Sequence, residues 1–286
     1  MDLPASTEQP AALVPGPGSV SRRYAGDLRI LIAAGYALVL QVAHPTVAAG
    51  VREHSDYASD PWGRLLRTLD YANLMVYGGP RAAADAARRL RHTHEQIRGT
   101  APDGRSYSAL EPEPFTWVHA TLVEAIVTGH RHFGRALDAD AVESLYAEWR
   151  ALGRLIGIGD GDLPADWSGF QGYFDQMVEE RLRDNDVVQG VISSLARPAA
   201  PPIPLLTEWA WRIGRMPVAR LFSLATVGLL PPLLRERFGL RWGRMQTLQL
   251  AAVGGATRSM TPLMPKAIAV YGPIYLRWRG AEIAAT

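Results

Sequence analysis

Apolar residues recur at steps of three and four along most of the chain, which is the spacing of one face of an α-helix. In Arg81–Gly99 the apolar stripe holds Ala83, Ala87, Leu90, His94 and Ile97. Most of the charged residues in that stretch lie off the stripe. Segments that alternate between apolar and polar residues, as strands do, are scarce. The pattern predicts an all-α fold.

Proline, aspartate and glycine mark the ends of the predicted helices. Proline suits the first turn of a helix, aspartate caps it, and glycine commonly follows the last residue. The predicted helices are Gly26–Val42, Pro45–Glu53, Asp60–Tyr77, Pro80–Arg98, Pro112–Phe133, Asp138–Leu155, Trp167–Arg183, Asp186–Leu195, Pro204–Gly214, Pro217–Leu229, Pro231–Phe238, Arg241–Ala256 and Thr261–Arg279. Their short connections predict one compact multi-helix domain over residues 21–286.

Two segments lack the helical pattern. Residues 1–20 are rich in proline, glycine and serine and lack the basic start and apolar core of a signal peptide, so we expect a disordered leader. Arg197–Pro204, with the sequence RPAAPPIP, is predicted to run extended because proline cannot continue a helix. This crossover joins a larger amino-terminal block to a smaller carboxy-terminal block, and we expect the two to pack together.

The most apolar run of the chain is Leu28–Ala43. It is shorter than the roughly 18 to 20 apolar residues that span a membrane, so it predicts a buried core helix. Residues 221–240, LFSLATVGLLPPLLRERFGL, are also expected to pack onto the core. Peripheral membrane contact stays open as the alternative for both stretches. We therefore expect a cytoplasmic protein, with membrane association as the open alternative.

Composition narrows the chemistry. The chain has 286 residues, of which 48% are hydrophobic and 20% charged, so it can bury a large core. A formal net charge of +2, with arginines spread along the chain, does not indicate a nucleic-acid partner. The chain has no cysteine, which excludes disulfides, zinc–thiolate sites, iron–sulfur clusters and thiolate-ligated haem. The common hydrolase, nucleotide-binding and metalloprotease motifs are also missing.

His94 is the first candidate site residue. It shares the apolar stripe of its helix, whereas His92 lies two residues away and should face the surface. A neutral imidazole on a buried helical face is either a hydrogen-bonded core residue or a metal ligand. The spacing alone leaves both interpretations open.

The helix Asp60–Tyr77 supplies the other candidates. Its stripe holds Leu65, Thr68, Ala72 and Met75. Arg64 lies one turn before Thr68, so the two occupy neighbouring positions on one face, and Arg67 faces elsewhere. A guanidinium directed towards the core needs an anionic partner. That partner is either a protein carboxylate or the carboxylate or phosphate of a ligand, unless the arginine reaches the surface.

Several segments, in this order, resemble one known family. They are HPTVAAGVREHS, RLLRT, RLRHTHEQIRGT, YSALEPEPFTWVHATLVEA and LATVGLLPPLLRERFGL. Together they resemble the catalytic domain of the MpaB oxygenase and rubber oxygenase (latex-clearing protein) family. The resemblance runs from about Ala25 to Arg279, which is nearly the whole chain.

The resemblance implies an all-α fold that encloses a pocket for haem b and its iron. It implies that a single histidine, here His94, binds the iron, and that an Arg-x-x-x-Thr pair, here Arg64 and Thr68, supports the haem. Characterised rubber oxygenases have a lysine just before this threonine, and Arg67 takes that place as the candidate catalytic residue. A carboxylate proposed as a base in those enzymes has no secure counterpart, although Glu53 lies in the right region.

The implied function is a haem-dependent oxygenase that uses dioxygen to oxidise or cleave a carbon–carbon double bond of a small apolar, isoprenoid or lipid-like substrate. The secretion signal of the rubber enzymes is missing and the MpaB membrane anchor is not evident, so polyisoprene is not the expected substrate. Two alternatives stay open. One is a non-haem metal enzyme that uses His94 and His119 with His44 or His54 and Glu124. The other is a non-catalytic protein that binds haem or lipid.

Overall fold

The computed structural model describes residues 10–55, 60–101, 104–200, 208–263, 265 and 270–280. The fold is all-α, as predicted. Its helices are α1 Pro10–Leu13, α2 Val20–Tyr24, α3 Ala34–Val42, α4 Pro45–His54, α5 Pro61–Tyr77, α6 Gly79–Glu95, α7 Pro112–Phe133, α8 Ala139–Ile156, α9 Trp167–Gln176, α10 Asp186–Ala196, α11 Glu208–Leu229, α12 Pro232–Arg237, α13 Arg244–Ser259 and α14 Gly272–Trp278. Short 3-10 helices cover Leu28–Ala33 and Thr261–Leu263, and one π-helical turn covers Met177–Arg181.

Helix α7 lies at the centre of the core. It packs against α3, α8, α13 and the 3-10 helix before α3. Trp117 on α7 is completely buried, and its indole N–H donates to the Leu40 carbonyl oxygen at 2.9 Å. The other face of α7 lines the cavity described below, so the core and the site share one helix.

The predicted helix starts depend on caps that the structure contains. The carboxylate of Asp60 accepts the Gly63 N–H at 2.8 Å before α5, and Asp138 accepts the Ala141 N–H at 2.8 Å before α8. Each satisfies a backbone donor that has no partner within its helix. Gly157 ends α8 with a φ of 95°, a left-handed conformation that favours glycine.

The segment predicted as a disordered leader is partly ordered. Helix α1 packs against α6 and α8, and Leu13 and Val14 are buried. The carboxylate of Glu148 on α8 accepts the backbone N–H groups of Val20 and Ser21 at 3.0 and 2.7 Å. This corrects the expectation over residues 10–20, because apolar side chains and a helix start there find partners on the domain. Residues 1–9 lie outside the described part of the chain.

Pro217 does not start a separate helix, contrary to the prediction. It lies inside α11, which runs unbroken from Glu208 to Leu229. A proline removes one N–H from the helix, so the carbonyl group of Ile213 loses its partner. The turn around Ile213 is exposed, and water can take the place of that donor. The predicted helix start at Pro204 lies outside the described residues.

A short two-stranded sheet follows α6 and was not predicted. Strand β1 (Arg98–Thr100) pairs antiparallel with β2 (Ser106–Ser108), with Gly99 opposite Tyr107. Helix α6 therefore ends at Glu95, three residues before the predicted end. Strands of three residues are too short to show an alternating pattern in the sequence.

The carboxy-terminal block packs onto the rest, as expected. Helix α11 contacts α3, α10 and the 3-10 helix before α3. Residues 197–200 of the crossover are non-helical, and residues 201–207 are outside the described ranges. In the described ranges no single helix has both the length and the apolar character to cross a membrane, although the pair Leu28–Val42 and Pro45–His54, bent by 102°, has both when taken together.

Candidate functional site

A cavity of about 720 Å³ lies between α4, α5, α6 and α7, and residues from β2, α8 and the end of α14 complete its wall. The volume falls in the range of about 300 to 1,000 Å³ that is typical of small-molecule and cofactor sites. Much of the wall is apolar, with contributions from Val47, Leu74, Leu90, Phe115 and Leu122. Both helices that carry the predicted site residues contribute to it.

His94 lies on this wall, in the last turn of α6. Its Nδ1 lies 2.8 Å from the Leu90 carbonyl oxygen and donates to it, because a carbonyl oxygen only accepts. Nε2 therefore carries the lone pair, and it makes no hydrogen bond with a described residue. Burial lowers the pKa of His94, against a smaller raising effect of the Leu90 hydrogen bond, so the ring is neutral near pH 7. A neutral imidazole with one fixed tautomer has the form of a metal ligand.

The stripe on α6 separates the two histidines as predicted. Ala83 and Ala87 are buried, and Leu90 and His94 line the cavity further along the same face. The side chain of His92 is 80% exposed. The distinction between an inward and an outward histidine is therefore correct, whereas the metal-binding role of His94 stays a prediction.

Phe115 on α7 fixes the plane of the His94 ring. The two rings meet edge to face, with 5.6 Å between centroids and an interplanar angle of 77°. Such a contact is worth about 0.5 to 1.5 kcal/mol beyond area burial in aromatic pairs. It limits rotation of the imidazole about its side-chain bonds.

Arg64 and Thr68 line the cavity from α5. Arg64 is half-buried, and its Nη1 donates to Ser55 Oγ. The Thr68 hydroxyl donates to the Arg64 carbonyl oxygen at 3.1 Å, so its oxygen can still accept a hydrogen bond. The structure therefore places both predicted residues on one cavity with His94.

The cavity face of α5 is rotated slightly from the predicted stripe. Met75 is buried in the core, whereas Tyr71 and Leu74 join Arg64 and Thr68 on the cavity wall. Periodicity identified an apolar face of α5, but the neighbouring helices decide which part of that face meets the core.

Arg67 also lines the cavity, at its open side, whereas the sequence predicted that it faces elsewhere from Arg64 and Thr68. Its side chain is 62% exposed, and one guanidinium nitrogen lies 3.7 Å from the Asp60 carboxylate. An exposed ion pair of this length contributes little to stability. The positive charge of Arg67 is therefore at the cavity mouth and is weakly held by Asp60.

An ion pair between Asp70 on α5 and Arg279, just after α14, forms part of the cavity wall. This pair was not predicted from the sequence. Arg279 donates to both oxygens of Asp70, at 2.8 and 2.6 Å, and Tyr275 OH donates to the same carboxylate at 2.6 Å. Burial alone would raise the pKa of Asp70, but the hydrogen bonds from Arg279 and Tyr275 outweigh it and hold that pKa below its usual value. Asp70 and Arg279 are 209 residues apart, so no local signal could have paired them.

The polar part of the cavity wall is positively charged. Arg64, Arg67, Arg89 and Arg279 line it, and Asp70 is the one carboxylate among the described lining residues. Guanidinium groups bind carboxylates and phosphates through paired hydrogen bonds. The cavity therefore suits a largely apolar ligand that carries an acidic group at one end.

His119 lies on the α7 side of the cavity and is 3% exposed. Its Nε2 donates to the Trp149 carbonyl oxygen at 2.8 Å. Burial lowers the pKa of His119 to about 4, against a smaller raising effect of that hydrogen bond. The ring is neutral at physiological pH and ties α7 to α8.

This burial predicts a pH dependence of stability. Between pH 6.5 and about 4, the unfolded chain protonates His119 and the folded chain does not, so acid favours unfolding. One such histidine lowers the free energy of unfolding by about 1.36 kcal/mol for each pH unit in that window. Urea unfolding at pH 6, 5.5 and 5 should show a slope smaller by about this amount in His119→Gln than in the parent. Equal slopes would contradict the prediction. Other buried histidines contribute to both proteins and cancel.

The ligand set of the non-haem alternative does not form one metal site among the described residues, although His54 lines the same cavity as His94 and His119. His44 is buried elsewhere, with Nε2 at 3.2 Å from a carboxylate oxygen of Glu113, in a second cavity of about 330 Å³. Glu124 accepts from the hydroxyl groups of Tyr36 and Thr128, at 3.3 and 2.6 Å. In the described part of the chain, no group of three or more histidines and carboxylates could hold a metal ion.

Glu53, the residue nearest to the expected base, is not a cavity residue in the described structure. Its carboxylate accepts the Tyr107 hydroxyl at 2.6 Å. Tyr107 itself lines the cavity. Glu53 therefore supports the β2 part of the wall through Tyr107.

Comparison with known proteins gives one family and two curated relatives. Residues 22–259 match the model of "ER-bound oxygenase mpaB/B'/Rubber oxygenase, catalytic domain". The uncharacterized proteins Mb2261 of Mycobacterium bovis and Rv2237 of Mycobacterium tuberculosis are each 26% identical over 233 residues, covering 80% of this chain and 87% of the relative. No solved structure gives a significant match.

Proposed function

The chain belongs to the family of ER-bound oxygenases mpaB/B' and rubber oxygenases, and from this premise we propose that it is a haem b-dependent oxygenase with an apolar substrate. The observation that carries the proposal is His94. It presents one neutral imidazole nitrogen on the wall of an apolar cavity that arginines line on one side.

The residues present fit haem b. Haem brings most of its own iron ligands, so the protein would need to add only one nitrogen, and His94 Nε2 would supply it. The hydrogen bond from Nδ1 to the Leu90 carbonyl oxygen fixes the tautomer and raises the basicity of Nε2. The acidic side chains of haem accept hydrogen bonds, and they would find guanidinium donors in Arg64 and Arg279. The Thr68 hydroxyl would donate to them once it rotates away from the Arg64 carbonyl oxygen.

When bound, haem would supply the activation of dioxygen for oxidation or cleavage of a carbon–carbon double bond. The chain's own residues would have four roles. His94 holds the cofactor in place, and Arg64 and Thr68 orient its acidic edge. Apolar residues such as Leu122 and Val47 bind the substrate and exclude water. Arg67 is the proposed catalytic residue, because its permanent positive charge at the cavity mouth can stabilise developing negative charge.

Titration of the purified chain with haem tests the proposal. We expect a Soret band that saturates at one haem per chain, and dioxygen consumption when an apolar alkene such as squalene is added to the loaded protein. Saturable haem binding without dioxygen consumption, over a panel of isoprenoid and straight-chain alkenes, would instead identify a haem-binding protein without oxygenase activity. Failure to bind haem would contradict the whole proposal.

Arg64→Gln should weaken haem binding by about 10- to 100-fold, because a hydrogen bond to a charged group contributes about 1.5 to 3 kcal/mol. The measurement is the haem dissociation constant, obtained by transfer of haem to a high-affinity acceptor protein. The matched control is Arg81→Gln, which removes an exposed charge from the first turn of α6. Equal haem affinities in the two variants would exclude Arg64 from the haem site.

A further inference from the structure

Exposed apolar side chains are concentrated in the last third of the described chain. Eleven large hydrophobic side chains are exposed among the described residues, and ten of them lie at or beyond Trp209. The ten are Trp209, Ile213, Met216, Leu233, Met245, Leu248, Met260, Leu263, Ile274 and Trp278. Single exposed apolar residues are common, whereas several on one contiguous face mark a surface that contacts something else.

The clearest exposed apolar face is the amino-terminal half of α11, residues 209–218. Trp209, Ile213 and Met216 are 72%, 60% and 51% exposed. Their spacing of four and three residues places them on one face of the helix. None of the residues from 209 to 218 is buried, and Ala219 is the first that is. This half of the helix therefore projects an apolar stripe away from the core.

The same carboxy-terminal part of the chain also carries an excess of basic residues. Residues 208–286 contain eleven Arg and Lys against three Asp and Glu, whereas residues 1–207 contain nineteen against twenty-five. Arg212 and Arg215 are exposed beside the apolar stripe. The small net charge of the whole chain conceals this division. A basic, apolar helix face suits a surface that is both anionic and apolar beneath.

We propose that the amino-terminal half of α11 docks on an anionic lipid membrane. Trp209, Ile213 and Met216 enter the boundary between headgroups and acyl chains, and Arg212 and Arg215 contact the anionic headgroups. Tryptophan favours this interface because its ring is apolar and its N–H is polar. Docking would hold the protein where apolar alkenes partition, and it does not depend on haem.

The charges disfavour a second copy as the occupant of this face. In a two-fold symmetric dimer each subunit uses the same patch, so Arg212 and Arg215 of both copies would be brought into one interface. Like charges brought together in this way repel. An anionic membrane supplies the opposite charge and an apolar layer at once.

The first test is sedimentation with phosphatidylcholine vesicles that contain or lack 30% phosphatidylglycerol. The double variant Arg212→Gln, Arg215→Gln should bind the anionic vesicles about 30-fold more weakly than the parent, since each basic residue near the surface contributes about fivefold. The matched control is Arg23→Gln, Arg135→Gln, which removes two exposed charges outside α11 and should bind like the parent. Equal losses in the two variants, or binding that ignores lipid charge, would overturn the proposal.

The second test uses the absence of native cysteine. Ile213→Cys, labelled with the environment-sensitive dye NBD, should brighten and shift to the blue on addition of the anionic vesicles. Gln171→Cys carries the same dye at an exposed site on α9 and should not respond. A response at position 213 that rises with protein concentration without vesicles identifies a second copy on this face and overturns the proposal. No response at position 213 also overturns it.

Discussion

His94→Ala is expected to abolish stable haem binding. It removes the one imidazole nitrogen that α6 presents to the cavity and that would hold the cofactor. Truncation also removes the edge-to-face contact with Phe115. We expect a haem content below a tenth of the parent after gel filtration, with the Soret band reduced to match. Absorption spectra and iron analysis on the same fractions measure both.

His92→Ala is the matched control, since it lies on the same helix with its side chain 80% exposed. It should retain the haem content of the parent. Added imidazole should restore the spectrum of His94→Ala, because the truncation leaves a space of that shape on the cavity wall. A His94→Ala protein with full haem content and an unchanged spectrum would show that His94 is not the ligand.

Trp117→Ala is expected to cost about 3 to 5 kcal/mol of the free energy of unfolding, the range for truncation of a buried aromatic ring. Trp117 is completely buried, and its indole N–H satisfies the Leu40 carbonyl group on α3. The variant therefore creates a void and also leaves a buried acceptor without its donor. Single domains of this kind are stable by about 5 to 15 kcal/mol, so the loss is a large share of the total.

Urea unfolding of the haem-free proteins measures this effect without a contribution from ligand binding. Trp209→Ala is the control, because its indole is 72% exposed and its loss should change the free energy of unfolding by less than about 0.5 kcal/mol. Equal effects of the two tryptophan variants would contradict the central position of α7. A separate haem titration of folded Trp117→Ala, without urea, reports on the cavity. Weaker haem binding there would show that the core behind α7 also shapes the cavity wall.

The two histidine-based predictions separate different properties of the site. His94→Ala tests a bond to the cofactor, whereas His119→Gln tests burial of a neutral ring between α7 and α8. A protein can lose haem and keep its acid sensitivity, or the reverse. Together the variants therefore distinguish a ligand from a structural histidine on the same cavity.

Local patterns predicted much of the fold. The helix Pro112–Phe133 has the predicted bounds, because prolines mark its start and a glycine follows its end. Caps such as Asp60 likewise located helix starts. Local patterns failed at Pro217, which lies inside α11 although a proline usually breaks a helix. They also failed at β1 and β2, which depend on pairing with each other.

The same distinction between local and long-range properties applies to the candidate site. The sequence by itself determined that His94 faces inward and His92 outward, because helical spacing is a local property of the chain. It also placed Arg64 and Thr68 one turn apart. Only the tertiary structure decided that these residues share one cavity and that Arg279 joins them through Asp70. The physical reason is that a cavity is the space left between packed helices, and its shape depends on contacts between residues far apart in the chain.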